Sequence, residues 1–512
     1  MAFLLKKTRT IIPLLWMLVG IICLYIYYAS DMAKEGIVLH LLIVGAITTC
    51  LLISAIYYLI FLKKVKLETV FVVAASIIGI MMSIVFTPYS APDELAHIQS
   101  AYYYSNILLF QPKDYVRSGD FDDPALATMP TKQIYEDLFT NTDVFYDSSQ
   151  TEMVKKDSLR VLSPFYLYAP ATLGLTVGRL LNLGFRPILY LGTWCNLAFF
   201  IVCMWFSIKR TPIAKSMFFT IGLLPMVTHL TSSFSYDTMI IGLAMAFTAQ
   251  MFYLIYGNTL PQKKDYVFAL VLLVLLAPCK LVYIVLGGLL FLIPEEKFGS
   301  KKRRRLFIGI GITSAILFLA INNLSAIMGI FFPAVKEIKN ENRETFYSLG
   351  WVLKNLGETI LIYMRTLVNT LDFYFKTSLG SHLAWFSIPI SDYILFPLAG
   401  CLFLSVMPKE TENPLKINRW HKPLMGFLCF VGILLVFTSM FFSWTSYAEE
   451  AVITGVQGRY FIPFFPLLLF LFRGKGILLR EEAERKLQMT VVTLSSLSVV
   501  NAFIAILERS PA

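Results

Sequence analysis

The chain has 512 residues, of which 57% are apolar and only 15% are charged. Together with a mean hydropathy of +0.68, this composition excludes the soluble globular classes and indicates a polytopic membrane protein. The net charge of +11 implies no nucleic-acid partner, because basic cytoplasmic loops beside an anionic leaflet account for it.

Apolar stretches near the length that crosses a bilayer, roughly 20 residues, recur along the chain. They lie at 11–28, 37–62, 70–86, 187–206, 213–230, 239–256, 306–330, 394–406, 424–442, 460–472 and 489–506. Two more are ambiguous, since 266–293 is interrupted at Pro278 and 164–183 is suited either to cross the bilayer or to lie in its interface. We therefore predict an all-α polytopic membrane protein with about 12 or 13 transmembrane helices.

We predict a single integral membrane domain over residues 1–512. Residues 1–87 hold three spans, residues 88–163 form a large first extracytoplasmic loop with amphipathic helices, and residues 164–512 complete the transmembrane bundle. The first apolar stretch is followed by no small-residue cleavage site, so we expect a retained anchor.

Lysine and arginine clusters set the orientation, because short cytoplasmic loops collect them. The clusters lie at 6–9, 63–66, 209–215, 301–305, 409–422 and 473–486. A cytoplasmic N-terminus and three spans then place the first loop outside, where residues 111–157 carry ten acidic side chains against five basic ones. A full crossing by 164–183 would put Lys209 and Arg210 outside, so we favour a partly re-entrant segment there.

Two adjacent carboxylates, Asp93 and Glu94, follow the third span directly. Acids held at a membrane surface suit proton chemistry on a substrate whose apolar part stays in the bilayer. We expect an amphipathic helix on the outer surface within 90–104, in which Asp93 and His97 share a face. Asp93 would then act as a general base or orient an acceptor, with Glu94 and His97 tuning it or joining it around a divalent metal.

The same motif has a plainer interpretation. The segment Ser90-Ala-Pro-Asp93 resembles a capping box, and acids in a first helical turn favour the helix dipole by about 0.3 to 1 kcal/mol. Asp93 and Glu94 would then only cap the helix. The two interpretations are compatible, since a cap can also aim a carboxylate.

Ionisable residues within apolar stretches are the next candidates, because charge in the bilayer usually marks a cavity. Asp237 is either a second carboxylate facing Asp93 across a cleft or an N-terminal helix residue. Lys280, at the Pro278 break, is a phosphate-binding cation or a snorkelling side chain. Arg459 begins a span and is either an interfacial anchor or an anion ligand.

Weaker candidates lie on the remaining outer segments. Two such segments, 332–346 and 377–393, are long enough to contribute to a site. His382 lies in the second, and Arg365 and Asp372 shortly precede it. We include His382 among the candidate substrate-binding residues.

Five segments, taken in order, carry a resemblance to a known family. They are Ala91-Pro-Asp-Glu-Leu-Ala-His97, Ser163-Pro-Phe-Tyr-Leu-Tyr-Ala-Pro170, Ser235-Tyr-Asp-Thr238, Lys280-Leu-Val-Tyr283 and Gln457-Gly-Arg-Tyr-Phe-Ile-Pro463. Over about residues 70–475 the chain resembles an uncharacterised family of bacterial polytopic membrane proteins that is itself similar to the GT-C glycosyltransferases.

This resemblance implies a GT-C membrane body and a polyprenyl-phosphate-linked sugar as donor. Asp93 would be the catalytic or acceptor-orienting acid, with Glu94 as its neighbour. Tyr166 belongs to a proline-tyrosine segment that packs under the first loop in such enzymes, although Ser163 replaces the first proline of the common double-proline form.

The expected function is transfer of a sugar to a cell-envelope glycan or lipid on the outer face of a bacterial plasma membrane. Lys280, Arg459 or Arg365 would bind the phosphate leaving group. A transporter or flippase of lipid-linked saccharides is one alternative, and it predicts paired broken helices. A non-catalytic scaffold for envelope assembly is another, and it would tolerate loss of Asp93 and Glu94.

Overall fold

A computed structural model describes residues 36–509 except 124–125, 127–128, 141–142, 157–158, 160, 323–346, 348, 411, 413–417, 446–451 and 475. The predicted span 11–28 and the predicted outer segment 332–346 therefore lie outside the described residues. Within the described part the chain is mostly helical, with little sheet, as the composition predicts.

The α-helices, in chain order, are α1 (Ile37–Tyr57), α2 (Leu67–Val85), α3 (Glu94–Leu108), α4 (Lys132–Thr140), α5 (Phe165–Leu180), α6 (Phe185–Arg210), α7 (Lys215–Gly222), α8 (Pro225–Thr231), α9 (Asp237–Tyr256), α10 (Lys263–Leu276), α11 (Lys301–Asn322), α12 (Leu349–Lys354), α13 (Leu356–Leu379), α14 (Asp392–Leu404), α15 (His421–Ser443), α16 (Phe465–Phe472) and α17 (Glu481–Arg509). A π-helical turn, Tyr58–Leu62, extends α1, and 3₁₀ segments span Leu281–Leu292, Glu295–Lys297 and Gly458–Phe464.

Two small antiparallel sheets accompany the helices. In the first loop β1 (Tyr115–Arg117) pairs with β2 (Met153–Lys155), and beyond α13 the strands β3 (His382–Leu383) and β4 (Ile388–Pro389) form a hairpin. The all-α prediction missed both, because strands this short leave no hydropathy pattern.

Seven helices of the described part are long and apolar enough to cross a membrane. They are α1 with its π-helical turn, α2, α6, α9, α11, α15 and α17. Three shorter apolar segments are Leu281–Leu292, Asp392–Leu404 and Gly458–Phe472. The expected total of about 12 or 13 spans stays a prediction, since part of the chain is outside the description.

Two predicted spans are interrupted. The stretch 213–230 is two short helices, because the chain is extended at Leu224 and restarts with Pro225 at the first helical turn. The break predicted at Pro278 is present: α10 ends at Leu276 and a 3₁₀ segment begins at Leu281. Proline removes a backbone donor and clashes with the preceding turn, which explains the second break.

The ambiguous segment 164–183 forms the 16-residue helix α5. Before it, the Ser163 carbonyl accepts a hydrogen bond from Tyr104, and after it Asn182 accepts one from Tyr146. Both ends of α5 therefore contact the first loop, and α6 runs from that loop to Lys209 and Arg210. These contacts are compatible with the partly re-entrant placement of 164–183, which stays a prediction.

The helix α3 is not the amphipathic surface helix that we expected. Its polar residues Ser105 and Asn106 are buried, whereas Leu108 is exposed. Ser105 bonds Thr176 and Arg179 of α5, so the buried polar groups have partners in neighbouring elements. The helix is thus packed between α5 and the first loop.

Candidate functional site

Asp237, Lys280 and Arg459 meet in one buried charge cluster. The Asp237 Oδ1 lies 3.4 Å from Lys280 Nζ, and its Oδ2 lies 3.2 Å from Arg459 Nε. The exposed side-chain fractions are 8% for Asp237, 6% for Arg459 and 24% for Lys280. Each charge therefore has an opposite partner, as buried charges require.

The fold brings these residues together at helix breaks and ends. Asp237 is the first residue of α9, and Lys280 is extended between α10 and the next 3₁₀ segment. Arg459 follows Gly458, where a Cβ atom would overlap the Ser378 nitrogen and the Tyr374 carbonyl. A glycine is needed there, because the chain passes directly against the end of α13.

Asp93 is the exposed carboxylate of this group, with 55% of its side chain accessible. Its Oδ2 lies 3.9 Å from Arg459 Nη2, so one guanidinium spans Asp93 and Asp237. Asp93 has φ 61° and ψ 12°, and its side chain makes no capping hydrogen bond. The cap interpretation is therefore wrong for the Asp93 side chain, which is directed toward Arg459 instead.

Glu94 is buried and contacts backbone. Its two oxygens accept N–H groups of Ala91 and Phe234, each at 3.0 Å. The carboxylate thus joins the turn that carries Asp93 to the turn before α9. Burial raises the pKa of Glu94 from 4.5 to about 7, although the backbone donors oppose the shift.

His97 is directed away from solvent. Its Nδ1 lies 3.1 Å from the Tyr168 hydroxyl, and its ring makes an edge contact with Tyr236 at 4.8 Å between centroids. Burial lowers the pKa of His97 to about 3, helped by the charges of Arg459 and Lys280 and opposed by Asp237. A neutral ring in this position supports the walls of the site.

A metal site made of Asp93, Glu94 and His97 receives no support from the geometry. Both Glu94 oxygens and His97 Nδ1 bond to protein groups. Across the residues that the structure describes, no three His, Cys, Asp or Glu side chains converge to hold a metal ion.

Aromatic rings around Lys280 were not singled out from the sequence. The Lys280 ammonium lies 4.1 Å from the Tyr460 ring centroid and 5.1 Å from that of Tyr236. The Tyr283 hydroxyl donates to the Tyr460 carbonyl at 3.1 Å. Each of these tyrosines lies within one of the motifs quoted above, which could have identified it from the sequence. The chain is so rich in aromatic residues that these three did not stand out.

Tyr166 interacts with Cys279, which precedes Lys280 in the chain. His382 instead contacts Ser381 in the β3–β4 hairpin, at 3.1 Å. The weaker candidates pair along α13: Arg365 with Glu358 and Asp372 with Lys376, at 3.0 and 3.3 Å respectively. The structure therefore puts Tyr166 beside a chain neighbour of Lys280 and gives the others partners outside the cluster.

A small cavity lies beside Asp93. Its lining combines one cation, two other polar residues and four apolar ones: Arg459, Gln457, His229, Pro92, Met226, Ala384 and Phe386. Three non-glycine residues in or next to this lining, Asp93, Ala384 and Phe386, have positive φ. Backbone strain of this kind is characteristic of functional sites.

The whole arrangement pairs two carboxylates with two cations. Asp93 is accessible and Lys280 is partly so, which leaves one acid available for proton transfer and one cation available to an anionic ligand. Glu94 fixes the backbone between them.

One of three comparisons with known proteins gave a match. A family model described as "Predicted membrane protein (DUF2142)" matches residues 76–468, a range that contains every residue of the charge cluster. Neither the curated proteins nor the solved structures include a significant match.

Proposed function

The chain belongs to the DUF2142 family of predicted membrane proteins, and from this premise we propose that it is a GT-C-like glycosyltransferase. It moves a sugar from a polyprenyl-phosphate donor to a cell-envelope glycan or lipid on the outer face of a bacterial plasma membrane. The observation that carries the proposal is the exposed Asp93 within 3.9 Å of Arg459, in a cluster that also holds Lys280.

The proposed reaction is one in-line displacement. The acceptor hydroxyl gives its proton to Asp93 as its oxygen bonds to the anomeric carbon. The bond between that carbon and the phosphate oxygen breaks, and polyprenyl phosphate leaves with the bonding electrons. A single displacement inverts the anomeric configuration.

Two cations stabilise the leaving group in this proposal. Lys280 is the more accessible of them, with 24% of its side chain exposed. Arg459 is nearly buried and holds Asp93 and Asp237 together. We assign the phosphate contact to Lys280 first, because a fixed positive charge in a site of low dielectric stabilises developing negative charge strongly.

Glu94 is a positioning residue in this proposal. It accepts backbone N–H groups on both sides of the site, which fixes Asp93 relative to the start of α9. His97 and Tyr168 support the same wall through their hydrogen bond.

The distribution of charge supports the proposed outward orientation. At the far end of α9, Arg210 pairs with Asp265 at 2.6 Å, beside the basic cluster that the positive-inside rule assigns to the cytoplasm. The charge cluster lies at the other end of α9, next to the first loop. In this proposal the donor is taken from the outer leaflet.

A second candidate function is a flippase of lipid-linked saccharides. It is favoured by a discontinuous segment besides the one at Pro278, in which the 3₁₀ stretch Gly458–Phe464 precedes α16. The sequence showed only the break at Pro278. Two broken segments that each carry a cation of the site are a feature of transporters as well.

Deletion of the gene followed by complementation distinguishes the two functions. Envelope glycans are analysed by mass spectrometry, and the leaflet that holds the lipid-linked sugar is assayed with a membrane-impermeant oxidant. A transferase predicts a lost glycan decoration and donor accumulating in the outer leaflet. A flippase predicts donor retained in the inner leaflet, and unchanged glycans would contradict both functions.

A further inference from the structure

The cavity beside Asp93 is too small for a whole sugar. Its space corresponds to about one water-sized group, so a hydroxyl fits and a pyranose ring does not. It lies next to the proposed reaction centre, because Pro92 precedes Asp93 in the chain and Arg459 contacts that carboxylate.

Three residues of the lining each have a buried polar atom without a hydrogen-bond partner in the described part of the chain. These atoms are Arg459 Nη1, Gln457 Oε1 and His229 Nδ1. Arg459 is 7% exposed and His229 is 1% exposed. Buried polar groups normally have partners, so three unpaired ones around one cavity indicate a polar ligand.

The tautomer of His229 determines which of its ring nitrogens can donate a hydrogen bond into the cavity. The backbone N–H of Ala384 donates to His229 Nε2 at 3.2 Å, which makes Nε2 an acceptor. Nδ1 of the neutral ring therefore carries the proton. The cavity then offers donors from His229 and Arg459 and an acceptor from Gln457, which matches a hydroxyl that both accepts and donates.

The charges favour a neutral group over a phosphate. Arg459 is the only charged residue of the lining, and its charge is already balanced by Asp237 and Asp93. An anion in the cavity would lie close to both carboxylates. The phosphate is better accommodated at Lys280, on the other side of Asp237.

We propose that this cavity binds one hydroxyl group of the donor sugar and so selects among sugar epimers. The inference rests on the proposed function and names the part of the donor that the site recognises. Gln457 is the specificity residue, because it provides the cavity's acceptor and has no role in the charge cluster.

The test uses the full-length protein in nanodiscs and isothermal titration calorimetry. The probes are farnesyl phosphate alone and farnesyl phosphate carrying glucose, mannose or galactose. Wild type is compared with Gln457→Leu, which keeps the side-chain volume, and with Lys280→Met. Thermal unfolding checks that both variants are folded.

In wild type we expect the affinities for the three hexosyl lipids to differ by about fivefold or more. Gln457→Leu is expected to reduce that spread to about twofold or less and to leave the affinity for bare farnesyl phosphate unchanged. Lys280→Met is expected to weaken every probe and to preserve the spread.

Other results overturn the inference in distinguishable ways. A spread that persists in Gln457→Leu means that the cavity holds only water. Equal affinities of wild type for bare and hexosyl lipids leave phosphate binding intact but remove sugar recognition. If wild type binds none of the probes, the proposed transferase function fails together with the inference.

Discussion

Asp237 and Arg459 form a nearly buried ion pair, with Oδ2 and Nε 3.2 Å apart. Asp237 also binds Lys280 at 3.4 Å, so the carboxylate neutralises two cations. Removal of one member leaves uncompensated buried charge, which is more harmful than loss of the attraction alone.

Asp237→Asn is therefore expected to destabilise the protein by about 3 kcal/mol. The double variant Asp237→Asn/Lys280→Met should recover part of that loss, because it removes one of the two stranded cations. Unfolding by denaturant in detergent measures these two variants and the single variant Lys280→Met. Strictly additive losses would show that the two charges are not coupled.

The left-handed backbone conformation of Asp93 gives a prediction about the stability of its variants. Asp93 has φ 61°, a left-handed backbone conformation that Gly, Asn and Asp adopt most easily. Other residue types destabilise the folded protein there by about 1 kcal/mol or more. We expect Asp93→Asn and Asp93→Gly to be about as stable as wild type and Asp93→Ala to be less stable. Equal melting temperatures for the Ala and Gly variants would contradict the left-handed conformation.

The raised pKa of Glu94 leads us to predict that the stability of the protein falls as the pH rises. Its pKa is about 7 in the folded state against a usual 4.5, so the folded protein keeps this proton to higher pH than the unfolded chain does. The stabilisation is complete below pH 4.5 and is lost as the pH rises through about 7.

Below about pH 6.5, His97 opposes the loss of stability that Glu94 causes as the pH rises. Its pKa falls from 6.5 to about 3 on folding, so stability rises with pH up to about 6.5 on its account. The Glu94 contribution is therefore clearest between pH 6.5 and about 8. The melting temperature of wild type should fall across that window, and that of Glu94→Gln should depend less on pH. Identical pH profiles for the two proteins would contradict a raised pKa of Glu94.

Gly458 gives a prediction about packing. In Gly458→Ala the new methyl group would overlap backbone atoms of α13, and we expect a loss of about 1 to 3 kcal/mol with weaker phosphate binding. Gly400→Ala is the matched control, because nothing lies within 4 Å of its Cβ position. In the middle of α14 that change should be neutral or stabilising.

The sequence predicted which charged residues form the site, but it did not predict how they are arranged in space. Asp237, Lys280 and Arg459 are recognisable because ionisable residues in apolar stretches are costly. The role of Glu94 was not predictable, because it depends on Phe234, a partner far away in the chain. Local pattern likewise says nothing of the contact between Asn182 and Tyr146 that explains α5.

In the proposed reaction the Asp93 carboxylate takes part in sugar transfer. Complementation of a deletion strain with wild type, Asp93→Asn or Asp122→Asn, followed by mass spectrometry of the envelope glycans, tests this role most directly. Asp122 is the control, because it is an 83% exposed acid of the same loop.

At equal membrane levels we predict that wild type and Asp122→Asn restore the missing decoration. Asp93→Asn should lower its rate of formation on the order of 100-fold or more. Full restoration by Asp93→Asn would contradict a catalytic role for this carboxylate.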